Sequence, residues 1–213
     1  MSQPKKTARK SAKKPAKKPG RAQRPKIAEK SRSPARLPGD PDRAQMIERM
    51  IRVDQAGEYG AVRIYQGQLS VLGGTAAAPA IERMAEQERR HLDAFNKMIP
   101  ERRVRPTALL PLWHVAGFAL GAGTALLGEK AAHACTVAVE EVIVEHYAGQ
   151  VRRLREEGVE KDLRDTFEEF RLEEVEHKET SLELGARDAP GYEALTGLIR
   201  AGSRLAIWLS TRI

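Results

Sequence analysis

Two stretches of the chain place a glutamate three residues ahead of a histidine: Glu88-Arg89-Arg90-His91 and Glu174-Val175-Glu176-His177. On a helix, residues three apart share a face, with Cβ atoms about 5–6 Å apart. Each stretch therefore aims a carboxylate and an imidazole at one spot. One such motif in a glutamate-rich chain is ordinarily a solvated helix face. Here each is preceded by another acid on a helical stretch, Glu58 lying 30 positions before Glu88 and Glu140 lying 34 before Glu174. Four carboxylates and two neutral imidazoles match the charge of two divalent cations. Buried without cations, the carboxylates would repel one another and take up protons. Carboxylate and imidazole donors without thiolate favour iron or manganese over copper(I) or structural zinc. Because carboxylates bridge and shift, such a site leaves positions where O2 binds.

Spacing selects some of these acids better than others. Glu174 alone, not Glu173, stands three before His177, and Glu88 is selected by His91 in the same way. No acid other than Glu58 lies between Asp54 and Glu82. Glu140 and Glu141 are not separated by spacing, and Glu145 stays open beside them. One Glu from each of two helices plus Glu-x-x-His from each of two others is the ligand set of ferritin-like di-iron and di-manganese bundles.

The elements that must position these groups read as helices from Asp40 onward. Asp40-Pro41 predicts a helix start, an Asx cap followed by proline, and Gly73-Gly74 predicts its end. Pro79 opens a second helix that Pro100 closes, and a third segment lies between Pro106 and Gly128. A fourth helix is predicted over 129–157 with Gly158 as its stop, a fifth over 159–184, and a last one from Tyr192 to the C-terminus. No window alternates as a strand does. The two halves, each a helix with a Glu and then a helix with Glu-x-x-His, form a faint internal repeat. Two facing hairpins of this kind make an all-α, ferritin-like four-helix bundle with additional apolar and amphipathic helices.

Charge divides the 213 residues unevenly. Residues 1–36 hold fourteen Lys or Arg and one acid, Glu29, so the remainder is mildly acidic although the whole carries +8. With almost no large apolar residues, 1–39 is predicted to be a disordered basic tail and 40–213 the folded domain. The tail's composition resembles nucleic-acid-binding arms and suits anionic lipid equally well. The domain's own charge offers no basic stripe, so nucleic acid is not the expected partner. No apolar signal region is present, so secretion is not expected. Cys135, the single cysteine, is predicted to be a buried thiol.

From Pro106 to Gly128 there is no Lys, Arg, Asp or Glu over 23 residues, long enough for a bilayer of about 30 Å. Gly117, Gly121 and Gly123, with Pro111 and His114, favour close helix packing or insertion into one leaflet over a full crossing. The C-terminal LTGLIRAGSRLAIWLSTRI has the pattern of an interfacial amphipathic helix or of one packed on the bundle. Peripheral membrane attachment is the expectation.

The stretches IRVDQAGEYGAVRIYQGQ, EQERRHL, RPTALLPLWHVAGFALGAGTALLG, ACTVAVEEVIVEHY and RLEEVEHKE resemble the demethoxyubiquinone hydroxylases of ubiquinone biosynthesis. The resemblance runs from Met46 to Ile213. It implies two iron ions on Glu58, Glu88, His91, Glu140, Glu174 and His177, and so decides for Glu140. It also implies hydroxylation of a prenylated methoxy-benzoquinone by O2, with NADH as reductant and no nucleotide domain of its own. His146 and Tyr147 resemble family residues near the site, which implies that they orient ligands or pass electrons; an ordinary packed helix face is the alternative. The resemblance further implies a peripheral place on the cytoplasmic side of a bacterial inner membrane, or alternatively on the mitochondrial inner membrane. Other ubiquinone-biosynthesis proteins are then natural neighbours, and the sequence leaves a homo-oligomer open. Rival readings of the same bundle are an iron-storage protein, which needs no apolar segment, and a manganese catalase, which would turn over peroxide without quinone.

Overall fold

The structure is a computed structural model and describes residues 39–213, together with Ser2. The basic tail predicted over 1–39 lies, but for Ser2 and Gly39, outside the described residues. Among the described residues six α-helices follow one another: α1 (Arg43–Leu72), α2 (Ala78–Glu101), α3 (Leu110–Leu126), α4 (Glu129–Glu157), α5 (Lys161–Glu183) and α6 (Tyr192–Ser210). A single 3-10 turn, Ala186–Asp188, precedes α6. No strand occurs among the described residues, and the all-α bundle predicted from periodicity is what forms.

The helix ends follow local chemistry, with two corrections. The cap of α1 is Asp42, not Asp40. The Asp42 carboxylate accepts from the Gln45 amide at 2.8 Å while the Gln45 side chain accepts from the Asp42 amide at 3.0 Å. From Asp40 the third residue would be Arg43, which has no acceptor to return. Pro100 does not close α2 but sits inside its last turn, the helix running to Glu101. Gly73 and Gly158 stand at the C-caps of α1 and α4, Gly158 with φ +65°, where only glycine is free of strain.

Helices α1 and α2 form one hairpin, α4 and α5 the other, and the two face each other as a four-helix bundle. Helix α3 lies along α1 and α6 along α4, so both cover the same side of it. The α1–α3 approach is close enough to require glycine. A Cβ on Gly121 would lie 1.9 Å from the Ile64 carbonyl oxygen, and one on Gly67 2.2 Å from that of Phe118. The charge-free segment is therefore a packed helix, and no helix among the described residues is long and apolar enough to cross a membrane. Its outer face nevertheless exposes Leu112, Val115, Leu126 and Leu127, and α6 exposes Leu198, Leu205 and Trp208.

The bundle core has two apolar layers. Ile51, Phe95, Leu154, Leu163 and Phe167 fill one end, and Leu72, Ile81, Met84 and Ala132 the other. Cys135 is fully buried, and burial pushes its thiol up to about 12, as an inert core residue requires. Between the layers, at the middle of all four helices, the core turns acidic.

Candidate metal centre

Glu58 comes from α1, Glu88 and His91 from α2, Glu140 from α4, and Glu174 and His177 from α5. All six side chains meet in the bundle centre, none more than 2 % exposed. A solvated helix face is thereby excluded for both Glu-x-x-His motifs. Leaving charge at such depth costs several kcal/mol per ion even after relaxation, so the cluster needs compensating cations.

The six fall into two overlapping quartets. Glu58, Glu88, His91 and Glu174 bring one donor atom each within 4.8 Å of one another, and so do Glu88, Glu140, Glu174 and His177. Glu88 and Glu174 belong to both and stand where bridging carboxylates would. His91 turns Nδ1 inward, 3.0 Å from Glu174 and 3.5 Å from Glu58. His177 turns Nδ1 inward as well, 3.0 Å from Glu174 and 3.1 Å from Glu88. Both Glu88 oxygens, Glu174 Oε1 and His91 Nδ1 nonetheless lack a hydrogen bond of ordinary geometry. Buried polar atoms without partners are rare in native cores, and a hard divalent cation supplies what these donors lack. The residues present fit a two-metal centre.

Proton affinities in the cluster are distorted accordingly. Burial, then the charge of Glu174, raises Glu88 well above the carboxylate range, and burial with Glu174 and Glu88 does the same to Glu140. Glu174 goes the other way. Burial would raise it, yet the hydrogen bond from His177 and the closeness of the His91 ring hold it down to about 2. Burial likewise opposes charge on His91 and His177, but the carboxylates that their Nδ1 atoms face, Glu174 and Glu58 for His91 and Glu174 and Glu88 for His177, lift them to about 12 and about 11. In the metal-free protein, protons occupy the role of the cations.

A second ring of residues crosses between the halves. The Tyr147 hydroxyl of α4 donates to Glu58 of α1, and the Tyr65 hydroxyl of α1 donates to Glu140 of α4 at 3.0 Å. His91 Nε2 meets Glu173 of α5 at 2.7 Å, and His177 Nε2 meets Gln87 of α2 at 2.9 Å. Of the two further residues named from sequence, Tyr147 thus touches a ligand directly. His146 instead bonds Asp54 Oδ1 at 3.0 Å, an oxygen that also accepts from Gln150 at 2.8 Å. Asp54 is buried one helical turn before Glu58, and burial raises it above the usual carboxylate range.

Sequence reasoning missed Tyr65, Gln87, Glu173 and Asp54. A signal for three of them lies in the internal repeat. A tyrosine follows the lone Glu by seven residues in each half (Glu58 and Tyr65, Glu140 and Tyr147), and a hydrogen-bonding residue directly precedes each Glu-x-x-His.

On the α3/α6 side of the bundle an apolar cavity of about 370 Å³ opens. Gly57 and Val139, the chain neighbours of Glu58 and Glu140, line it together with Leu120, Trp113 and Ile207. Trp113 Nε1 donates to Ser210 Oγ at 3.0 Å and joins α3 to α6 at its rim.

The family model described as "Ubiquinone biosynthesis protein COQ7" matches residues 45–210. A Rhodospirillum rubrum protein named 3-demethoxyubiquinol 3-hydroxylase is 58% identical over 179 residues, 84% of this chain and 84% of its own. The Homo sapiens protein named NADPH-dependent 3-demethoxyubiquinone 3-hydroxylase, mitochondrial, is 54% identical over 169 residues, 78% of each chain. The Saccharomyces cerevisiae protein named 5-demethoxyubiquinone hydroxylase, mitochondrial, is 42% identical over 185 residues, 80% of this chain and 79% of its own. Identity at this level over about four-fifths of the chain, with the family model spanning the four helices that bring the six residues together, means that the chain belongs to the COQ7 family of ubiquinone biosynthesis proteins.

Proposed function

We propose that this protein is a di-iron monooxygenase that hydroxylates the ring of a prenylated demethoxyubiquinone, consuming O2 and a reduced nicotinamide. The observation that carries the reading is the pair of buried quartets sharing Glu88 and Glu174, set beside an apolar cavity in a chain whose relatives are named for this hydroxylation. Glu58, Glu88, His91 and Glu174 would hold one iron, and Glu88, Glu140, Glu174 and His177 the other. When bound, two ferrous ions supply the reductive activation of O2 for transfer of one oxygen atom to the ring.

The chain's own residues do the rest. Tyr147 and Tyr65 donate to Glu58 and Glu140 and fix the rotamers of these two non-shared carboxylates. Both phenols are held neutral well above their ordinary range, by burial first and then by the carboxylates beside them. They therefore remain donors at any working pH. Glu173 and Gln87 fix the tautomer of His91 and His177, keeping Nδ1 free to ligate. The apolar cavity excludes water from the ring and accepts a greasy tail, its size lying within the usual range for ligand pockets. The exposed leucines of α3 and α6, with Trp208, support peripheral attachment to lipid.

The sequence resemblance implied NADH, whereas the human relative's name specifies NADPH. Both belong in the assay. Relatives named as mitochondrial and a bacterial relative leave either inner membrane as the site of action. The test is mass spectrometry of a demethoxyquinone incubated with iron-loaded protein, reductant and ¹⁸O-labelled O2. Gain of one labelled oxygen by the ring is expected. Iron oxidation or peroxide loss without label in the ring would move the function to iron storage or peroxide breakdown.

A further inference from the structure

The two halves of the centre differ in what supports their histidines. Each ligand histidine turns Nδ1 to the carboxylates and Nε2 outward to the residue that precedes the other half's Glu-x-x-His. For His91 that residue is Glu173, a carboxylate at 2.7 Å. For His177 it is Gln87, a neutral amide oxygen at 2.9 Å. The other supports are matched, since a tyrosine donates to each non-shared glutamate and Glu88 and Glu174 serve both sides. Among the groups bonded directly to the six residues, the imbalance falls on the histidines.

We propose that the two metal positions are unequal, the one served by His91 tight and the one served by His177 weak and exchangeable. The inference rests on the di-iron reading. An N–H donated to a carboxylate is a stronger, charge-assisted bond than one donated to an amide, and it makes the imidazole a better donor at its other nitrogen. Glu173 is itself pinned, Arg90 reaching the same oxygen at 3.3 Å. Removing such an outer partner typically costs 10–100-fold in metal affinity.

Packing adds an independent difference. The His91 ring stacks on Phe170 with centroids 4.1 Å apart, which closes that side. The His177 ring lines a cavity of about 380 Å³ between α2 and α5, with Gln87, Arg83, Glu86 and Glu176 around it. The weaker donor thus also borders a cavity with polar and charged walls. The apolar cavity on the opposite side offers an ion no charged side chain.

Calorimetric titration of the metal-free full-length protein with cobalt(II) under argon tests this, with the ligand-field absorbance of cobalt recorded alongside. Two ions should bind in steps separated by at least about tenfold in affinity. Glu58→Gln should abolish the tight step, whereas Glu140→Gln should spare it. Glu173→Gln should weaken the tight step into the range of the weak one, and Gln87→Glu should strengthen the weak step. Two equal steps in the native protein, or a ratio unmoved by Glu173→Gln in a variant of unchanged circular dichroism, would overturn the inequality while leaving a two-metal centre. Failure of the native protein to bind any ion would overturn the di-iron reading beneath it.

Discussion

Gly121→Ala adds one methyl group to α3 at its closest approach to α1. That Cβ would stand 1.9 Å from the Ile64 carbonyl oxygen, 2.7 Å from its carbon and 3.0 Å from Cα. All three are backbone atoms, so no rotamer change relieves the clash. Ordinary contact begins near 3.4 Å, so α3 must back away by about 1.5 Å. Overpacking of this kind costs about 1–3 kcal/mol, and a clash with backbone belongs at the upper end. Alanine's better helix propensity returns up to about 1 kcal/mol, leaving a net loss of about 2. For a domain of this size each kcal/mol moves Tm by about 2–4 °C, so Tm should fall by about 4–8 °C. Gly123, two residues on, is the control, since nothing lies within 4 Å of its Cβ position. Gly123→Ala should gain about 0.5–1 kcal/mol and raise Tm by about 1–4 °C. Thermal unfolding by circular dichroism reads both. The ions should be retained in both variants because α3 carries no ligand, but turnover should drop in the first, since Gly117 and Leu120 of α3 line the apolar cavity. A Gly121→Ala protein as stable as the parent would refute the contact and the wall it builds.

Glu174→Ala removes a carboxylate common to both quartets, so bound iron and turnover should both be lost while helical content stays; full activity would sink the assignment. Tyr147→Phe leaves Glu58 without its phenol partner, and urea unfolding of the metal-free protein should show a loss of about 1–3 kcal/mol. A neutral result there would mean that the bond contributes nothing. Metal loading should release protons, because ligating histidines must be neutral and His91 and His177 are held at about 12 and about 11 without metal. Affinity should therefore rise with pH between 6 and 8, and a dye-monitored titration that detects no released proton would contradict the assignment.

Much of the fold was legible because its helices end on residues with strong local preferences. Gly158 marks the end of α4 as its backbone freedom predicts, and Gly73 caps α1 in a right-handed conformation. Errors came where two local signals compete. Asp40 and Asp42 are both sound caps, and what decides is the reciprocal bond from Gln45. Pro100 reads as a stop, yet proline in a last turn deprives the helix of only one bond, and α2 continues to Glu101. The apolar segment was ambiguous for a different reason. Its composition suits lipid and core alike, and only the glycine contacts with α1 show that it is packed.

The candidate ligand positions were legible as a cluster because Glu-x-x-His is a local pattern, its two groups brought together by one turn of helix. Their partners were not, because each bond crosses from one hairpin to the other. Glu173 illustrates the difference. Spacing set it aside in favour of Glu174, the acid that lies beside His177 on α5. But the residue directly before a core-facing position sits about 100° round the helix, at the edge of the face that meets α2, and there it reaches His91, 82 positions away in sequence. Gln87 holds the equivalent place on α2 and reaches His177 of α5. Each hairpin therefore lacks the full support for its own histidine, and each is completed by the other. Docking of the hairpins, not formation of the helices, is the step that finishes the centre, so a mutation that loosens their interface should lower metal affinity without touching a ligand.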